Sequence, residues 1–117
     1  MILMLVYCNG GDLQAHLDVS PCMDDANIIE LLTQLASAFG YMEQYCITHQ
    51  DIKPANIMLH ENGYAKVQYK LTGFGLARKL QIEDTAATQP GTPCYMAPEI
   101  SGKCAVRYVC ACVPLPW

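Results

Sequence analysis

The chain has 117 residues, which is enough for one domain. Its composition is 52% hydrophobic and 15% charged, which is typical of a sequence that forms a buried core. The formal net charge is −4, with 7 Lys and Arg against 11 Asp and Glu. This acidic balance argues against nucleic acid or an anionic membrane surface as the main partner.

The first residues are apolar but predict neither a secretory leader nor a membrane span. The run from Met1 to Val6 has no basic flank and no small-residue cleavage site, and it is shorter than the ~20 residues of a spanning helix. The 7 cysteines have neither a paired framework nor the spacing of structural zinc sites. We therefore expect reduced thiols and a cytoplasmic location.

In chain order, the sequence first predicts a short strand and a short helix. Residues 2–8 are an apolar run that predicts a buried strand, and the Asn9-Gly10-Gly11 sequence predicts a turn after it. Asp12 is the predicted N-cap of a helix that ends near Ser20-Pro21.

A longer helix is predicted from Asp24 or Asp25 to about Tyr45. Its apolar positions follow the 3.6-residue period, so we interpret it as a core helix. Those positions are Ile28, Leu31, Leu32, Leu35, Ala36, Phe39 and Met42.

Two short strands and a loop are predicted in the second half. Residues 57–59 and 67–71 are strand-like, and the Glu61-Asn62-Gly63 sequence between them is typical of a hairpin turn. Residues 81–92 are polar and predict a surface loop. Regular periodicity is lost near the end of the chain, so we divide it into a domain of residues 1–102 and a divergent tail of residues 103–117.

The stretch from His49 to Asn56 combines residue types that suit phosphoryl transfer. Asp51 can orient a hydroxyl nucleophile, Lys53 can neutralise phosphate charge, and the amide oxygen of Asn56 can bind Mg²⁺. One such spacing can arise by chance, so the flanking sequence decides whether it is meaningful.

Four motifs lie in order along residues 1 to about 102, at residues 7–13, 49–56, 70–75 and 97–99. Together they resemble the middle of a eukaryotic serine/threonine protein kinase domain. Residues 7–13 are similar to the hinge, and residues 49–56 are similar to the catalytic loop. Residues 70–75 occupy the D-F-G position, and Ala97-Pro98-Glu99 is the A-P-E motif. The resemblance implies an α+β, protein-kinase-like fold that is partial, with a hinge strand, C-lobe helices, a catalytic loop and an activation segment.

Within this family, two groups remain open. Residues 7–13 and 94–99 resemble the autophagy-initiating kinases, whereas residues 51–58 and 69–72 resemble the TANK-binding and I-kappa-B kinases.

The resemblance implies an ATP site built largely from main-chain groups. The carbonyl of Val6 and the backbone of Cys8 would bind the adenine edge, Met58 would lie beneath the purine, and Asp12 would face the ribose. In the plainer interpretation Val6 and Met58 are core residues and Asp12 is only a helix cap. The two interpretations are compatible.

The resemblance also implies roles in transfer of phosphate from ATP to a protein substrate. Asp51 would accept or orient the substrate hydroxyl proton, and Lys53 would stabilise the transferring group. Asn56 would bind one Mg²⁺, and Thr92 would bridge Asp51 and Lys53.

Three further positions bear on activity. Gln50 stands where many family members have Arg, so activation by loop phosphorylation is not expected. Gly73 stands at the D-F-G aspartate position and offers no carboxylate to Mg²⁺, a loss that we expect to lower the rate by at least ~10²–10³-fold. His49 is expected to pack against Phe74.

Three hypotheses follow. The first is a fragment of an ATP-dependent serine/threonine kinase, inactive as this chain because Gly73 replaces aspartate and no N-lobe precedes the hinge. The alternative is a pseudokinase-type module that binds nucleotide or protein without transfer. The third is a truncated product with no function of its own.

Overall fold

The computed structural model describes residues 5–63, 66–79 and 91–96. The chain divides into two compact units, the first formed by Met1–Ala36 and Pro54–Thr72 and the second by Ser37–Lys53 and Gly73–Trp117. The A-P-E motif and the tail of residues 103–117 lie outside the described residues, as does most of the loop predicted for residues 81–92.

The first helix, α1, spans Leu13–Val19 and begins where the sequence predicts. Asp12 has extended backbone angles, and its carboxylate accepts a hydrogen bond of 2.9 Å from the N–H of Ala15. This is an N-cap, which satisfies one of the helix's first free amides. The helix ends at Ser20, because the following Pro21 disfavours helical angles at the residue before it.

The second helix, α2, spans Asp25–Gln44 and contributes residues to both units. Of the two predicted caps, Asp24 is the one whose carboxylate accepts the N–H of Asn27, at 2.8 Å. Leu31 and Leu35 pack against the core of the first unit.

The interpretation of α2 as a helix whose whole apolar stripe is buried is wrong in part. Met42 is buried, but Ile28, Leu32 and Phe39 are exposed by 38%, 59% and 40%. The apolar stripe is wider than the surface that the described elements cover, so only one side of it is packed.

Two strands follow the catalytic-loop stretch and pair as the sequence predicts. Strand β2 spans Ile57–Glu61, and strand β3 spans Val67–Leu71. They are antiparallel, with Leu59 opposite Tyr69. Gly63 has a φ of 76°, which a residue without Cβ adopts readily in a hairpin turn.

The core of the first unit lies on one face of this hairpin. Ile57 and Leu59 alternate with more exposed residues along β2, as the two-residue period of a strand requires. Leu13 of α1 and Tyr69 of β3 complete the buried cluster. Burial raises the pKa of the Tyr69 phenol above its usual value, and two nearby carboxylates add to the rise.

The buried strand predicted for residues 2–8 is not present over the described part of that run. Residues 5–8 have no regular structure, and Leu5, Val6 and Tyr7 are exposed by 74%, 68% and 81%. A strand requires a partner for its backbone groups, and no strand of the described ranges pairs with these residues.

The second unit contains a smaller strand pair that the sequence did not predict. Strand β1 spans Ile47–Thr48 and pairs antiparallel with β4, which spans Arg78–Lys79. The catalytic-loop stretch begins at His49, immediately after β1 ends at Thr48. The pairing of β1 with β4 therefore fixes the position at which the loop begins.

Helices and small antiparallel sheets together confirm the predicted α+β class. Among the residues described, no helix is both long and apolar enough to cross a membrane.

Candidate active site

The loop after β1 is anchored by a buried histidine. His49 is 2% exposed, and its ring lies 4.6 Å from that of Phe74, centroid to centroid. Its Nδ1 accepts a hydrogen bond of 3.3 Å from the N–H of Asp51, so the ring proton lies on Nε2 in this arrangement. The predicted contact between His49 and Phe74 is therefore present, and it places Asp51 two residues beyond a fixed ring.

Asp51, Lys53 and Thr92 form one hydrogen-bonded network in the second unit. Lys53 Nζ lies 2.9 Å from Asp51 Oδ2 and donates to Thr92 Oγ1 at 2.7 Å. The Thr92 hydroxyl donates to Asp51 Oδ1 at 2.7 Å, and the Thr92 N–H donates to the same oxygen at 3.1 Å. The threonine hydroxyl thus uses its one proton on the carboxylate and accepts from the ammonium.

The network is protected from solvent, which strengthens its electrostatics. The side chains of Lys53 and Asp51 are only 25% and 14% exposed. Charge-assisted hydrogen bonds in a partly buried site are stronger than exposed ion pairs. The arrangement fixes the orientation of the Asp51 carboxylate, which is what a group that orients a nucleophilic hydroxyl requires.

Gly91 allows the activation segment to reach this loop, although no sequence pattern identified it as a site residue. Its φ is 120°, and a Cβ at this position would lie 2.6 Å from the carbonyl oxygen of Gln50. A side chain at this position would therefore require the Gln50 carbonyl or the backbone beside Thr92 to shift. The only signal in the sequence is a glycine immediately before the bridging threonine.

Gly73 occupies a left-handed backbone position at the start of a short 3-10 turn. Its φ and ψ are 81° and 31°, and the turn spans Phe74–Leu76. Asp and Asn tolerate this region better than most other residues with a Cβ, so the backbone could accept aspartate there. The residue present supplies no side-chain oxygen.

Several predicted site residues lie in the first unit. Asp12 and Met58 form an antiparallel bridge, so the structure brings these two together. Asp12, which the resemblance places at the ribose, caps α1 with its carboxylate oxygen Oδ1. Asn56 ends a 3-10 turn, and its carbonyl accepts the N–H of Thr72 at 2.9 Å.

Val6 and Cys8 lie in the irregular segment that precedes α1. The Cys8 thiol lies 3.7 Å from the carbonyl oxygen of Val6, in a weak hydrogen bond. Val6 is 68% exposed, so it is not a core residue.

The described residues contain no cluster of metal-binding side chains. No three side chains of His, Cys, Asp or Glu come close enough in this part of the chain to hold a metal ion.

An α+β fold in which a loop Asp and Lys share one threonine hydroxyl is characteristic of the protein kinase class. A sequence profile of the protein kinase domain matches residues 1–109. The chain belongs to the protein kinase family, which confirms the resemblance inferred from its motifs.

Curated relatives agree with this assignment and are serine/threonine kinases. The chain is 38% identical over 103 residues to serine/threonine-protein kinase ULK1 of Homo sapiens, which covers 84% of the chain and 10% of that protein. It is 34% identical over 98 residues to the probable serine/threonine-protein kinase zyg-1 of Caenorhabditis elegans, covering 84% and 14%. It is 42% identical over 102 residues to serine/threonine-protein kinase RUNKEL of Arabidopsis thaliana, covering 86% and 7%. The chain thus spans a small part of each.

Proposed function

We propose that this chain carries the substrate-orienting part of a serine/threonine protein kinase site, and that its transfer of phosphate from ATP to protein is strongly impaired. The network of Asp51, Lys53 and Thr92 supports the first half of the proposal. It provides a fixed carboxylate for the substrate hydroxyl and an ammonium for the phosphoryl group.

The second half of the proposal rests on Gly73. Mg²⁺ prefers near-octahedral oxygen ligands and is usually held in phosphoryl-transfer sites by carboxylates and the phosphates themselves. Asn56 offers one neutral oxygen, and Gly73 offers none from a side chain. The residues present therefore do not fit a complete magnesium site, and we derive no reaction step through the metal.

Nucleotide binding is also part of the proposal, although fewer contacts support it than support the network of Asp51, Lys53 and Thr92. The carbonyl of Val6 and the backbone of Cys8 would bind adenine, Met58 would lie beneath it, and Asp12 would contact the ribose. The acidic net charge is consistent with a protein substrate and not with nucleic acid. The unpaired cysteine spacing supports a cytoplasmic location.

A restoration experiment tests the proposal. In a full-length kinase domain that includes an N-lobe, we expect Gly73→Asp to raise phosphate transfer from ATP to a generic protein substrate by at least ~10²-fold, because it supplies the missing carboxylate. Adding Asp51→Asn to that variant should abolish the gain. The matched control is Gly63→Asp, which places the same side chain on a glycine with a φ of 76° and open space around it.

The outcomes separate the possibilities. If the unmodified chain transfers phosphate and Gly73→Asp leaves the rate of transfer unchanged, the proposed impairment is wrong. A gain that survives Asp51→Asn would contradict the role of the network.

A second candidate function, a pseudokinase-type binding module, is favoured by the same glycine. It predicts that ATP raises the melting temperature equally with and without Mg²⁺, and that Gly73→Asp does not produce transfer. A chain with neither transfer nor a nucleotide-dependent shift would count against both functions.

A further inference from the structure

The two outer edges of the β2–β3 hairpin are closed by different means. Along β2, the N–H of Gly10 donates to the carbonyl of Leu59, and the N–H of Leu59 donates to the carbonyl of Gly11, each at 2.9 Å. The side-chain amide of Asn9 continues this pairing by bonding both the N–H and the carbonyl of Glu61. The outer edge of β2 therefore has a neighbouring chain segment.

The outer edge of β3 has a single side chain in place of a neighbouring strand. The Nε2 of Gln34, on α2, donates to the carbonyl of Val67 at 3.0 Å, and its Oε1 accepts from the N–H of Tyr69 at 2.8 Å. One amide thus satisfies a carbonyl and an N–H that a paired strand would otherwise use. In the ranges that the structure describes, no strand pairs with β3 on this side.

Neighbouring charges fix the orientation of the Gln34 amide. Its Nε2 also donates to the carboxylate of Glu30 at 2.8 Å, and that carboxylate lies 3.6 Å from the ammonium of Lys66. Reversing the amide would place its oxygen against two acceptors, the carboxylate of Glu30 and the carbonyl of Val67. Gln34 is therefore held with its donor and acceptor matched to the edge.

We propose that Gln34 closes the outer edge of β3 against strand addition by a second copy of this chain. An exposed edge presents unpaired N–H and C=O groups and is a template for pairing with another chain. A groove of about 430 Å³ runs beside this edge, lined by β3 itself and by residues that include Glu30, Asn62 and Lys66. Without the Gln34 amide, the carbonyl of Val67 and the N–H of Tyr69 would be available to an extended segment in this groove.

The sequence of β3 favours a second copy as the occupant. Two copies of β3 can pair antiparallel about a two-fold axis at Tyr69, because the N–H of Tyr69 points outward. This register places Lys70 opposite Gln68 and Lys66 opposite Thr72, so no two lysines face each other. Val67 and Leu71 lie opposite each other and suit a strand pair.

The test compares two glutamine substitutions in the full chain. Gln34→Leu keeps the side-chain size but removes both edge hydrogen bonds. Gln14→Leu is the matched control, because Gln14 also bonds an acid four residues away, Asp18 at 2.8 Å, but lies on α1. Apparent mass is measured by sedimentation over a range of concentrations, together with hydrogen exchange of the Tyr69 amide.

We expect Gln34→Leu to form a dimer of twice the mass as concentration rises, while the unmodified chain and Gln14→Leu stay monomeric. At low concentration the Tyr69 amide of Gln34→Leu should exchange about tenfold faster, as expected for loss of one hydrogen bond. At high concentration its protection should return, because the second copy then pairs with the edge. This return distinguishes strand addition from unspecific aggregation.

A second variant keeps the proposal testable if Gln34→Leu does not fold. Gln34→Asn retains a polar amide but is one methylene too short to make both hydrogen bonds, so it should show the same behaviour to a smaller degree. Variants that stay monomeric at every concentration would overturn the proposal, whether or not Tyr69 exchange becomes faster. Dimerisation of Gln14→Leu, or of the unmodified chain through β3, would overturn it as well.

Discussion

The two compact units depend on different interactions. The first contains a hydrophobic cluster in which Leu13, Ile57, Leu59 and Tyr69 are each at most 8% exposed. The second positions its loop with a buried histidine and a polar network of Asp51, Lys53 and Thr92. Apolar burial depends on area and tolerates small shifts, whereas a polar network depends on backbone positions accurate to a fraction of an ångström.

The largest expected effect is loss of a buried side chain in the first unit. Leu59→Ala should lower the free energy of unfolding by ~2–5 kcal/mol, because it removes buried methyl groups and leaves a cavity between α1 and the hairpin. Denaturant unfolding followed by circular dichroism measures the change.

Leu32→Ala provides the control for this substitution. It makes the same chemical change on α2 at a site that is 59% exposed, so we expect a change within about 0.5 kcal/mol. Equal losses for the two variants would show that the cluster does not dominate the stability of the first unit.

In the second unit, the position most sensitive to substitution is expected to be a glycine, Gly91. Gly91→Ala should destabilise by about 1–3 kcal/mol, because the added Cβ would approach the Gln50 carbonyl and because a φ of 120° is strained for alanine. We also expect faster hydrogen exchange at the Thr92 amide, since its hydrogen bond to Asp51 would be broken.

Gly40→Ala separates the geometric effect from a general effect of glycine. Gly40 lies in α2, and among the described residues no atom outside the helix's own backbone lies within 4 Å of the position that a Cβ would take. Alanine there should stabilise by roughly 0.5–1 kcal/mol, as in an ordinary helix interior. If Gly91→Ala also stabilised the chain, the close approach would have no energetic consequence.

The same contrast explains how much the sequence could predict. Period and cap residues identified α1, the extent of α2 and both hairpin strands, because these signals are local. The family resemblance implied that Asp51, Lys53 and Thr92 form one group, although 41 residues separate Asp51 from Thr92. That prediction came from family resemblance, since no local pattern reports a contact across such a distance.

What the sequence missed depends on tertiary contacts. The apolar run of residues 2–8 predicted a strand, but strand formation requires a partner that composition cannot reveal. The close approach of Gly91 and the edge contact of Gln34 each join segments far apart in the chain. Apart from the glycine immediately before Thr92, no signal in the sequence marked either position.

The smallest expected effect is a gain in stability at the end of α2. Cys46 has a φ of 54°, and its N–H donates to the carbonyl of Glu43 at 2.9 Å. A left-handed residue after a helix is usually glycine, because a Cβ in this conformation costs ~1–2 kcal/mol. Glycine would remove that cost, but part of the gain is lost to its greater freedom in the unfolded chain. Cys46→Gly should therefore raise the free energy of unfolding, measured by denaturant titration, by about 0.5–1 kcal/mol.

Cys22→Gly is the matched control for this gain. Cys22 is exposed and has no positive φ, so the same substitution should give no gain and instead a small loss from backbone entropy. A loss at Cys46 equal to that at Cys22 would mean that the Cys46 side chain contributes contacts worth more than the strain of its backbone. Although Cys46 immediately precedes β1, glycine can keep the same backbone conformation, so Cys46→Gly should leave the Asp51 network unchanged. Thr92 amide exchange in this variant would verify this.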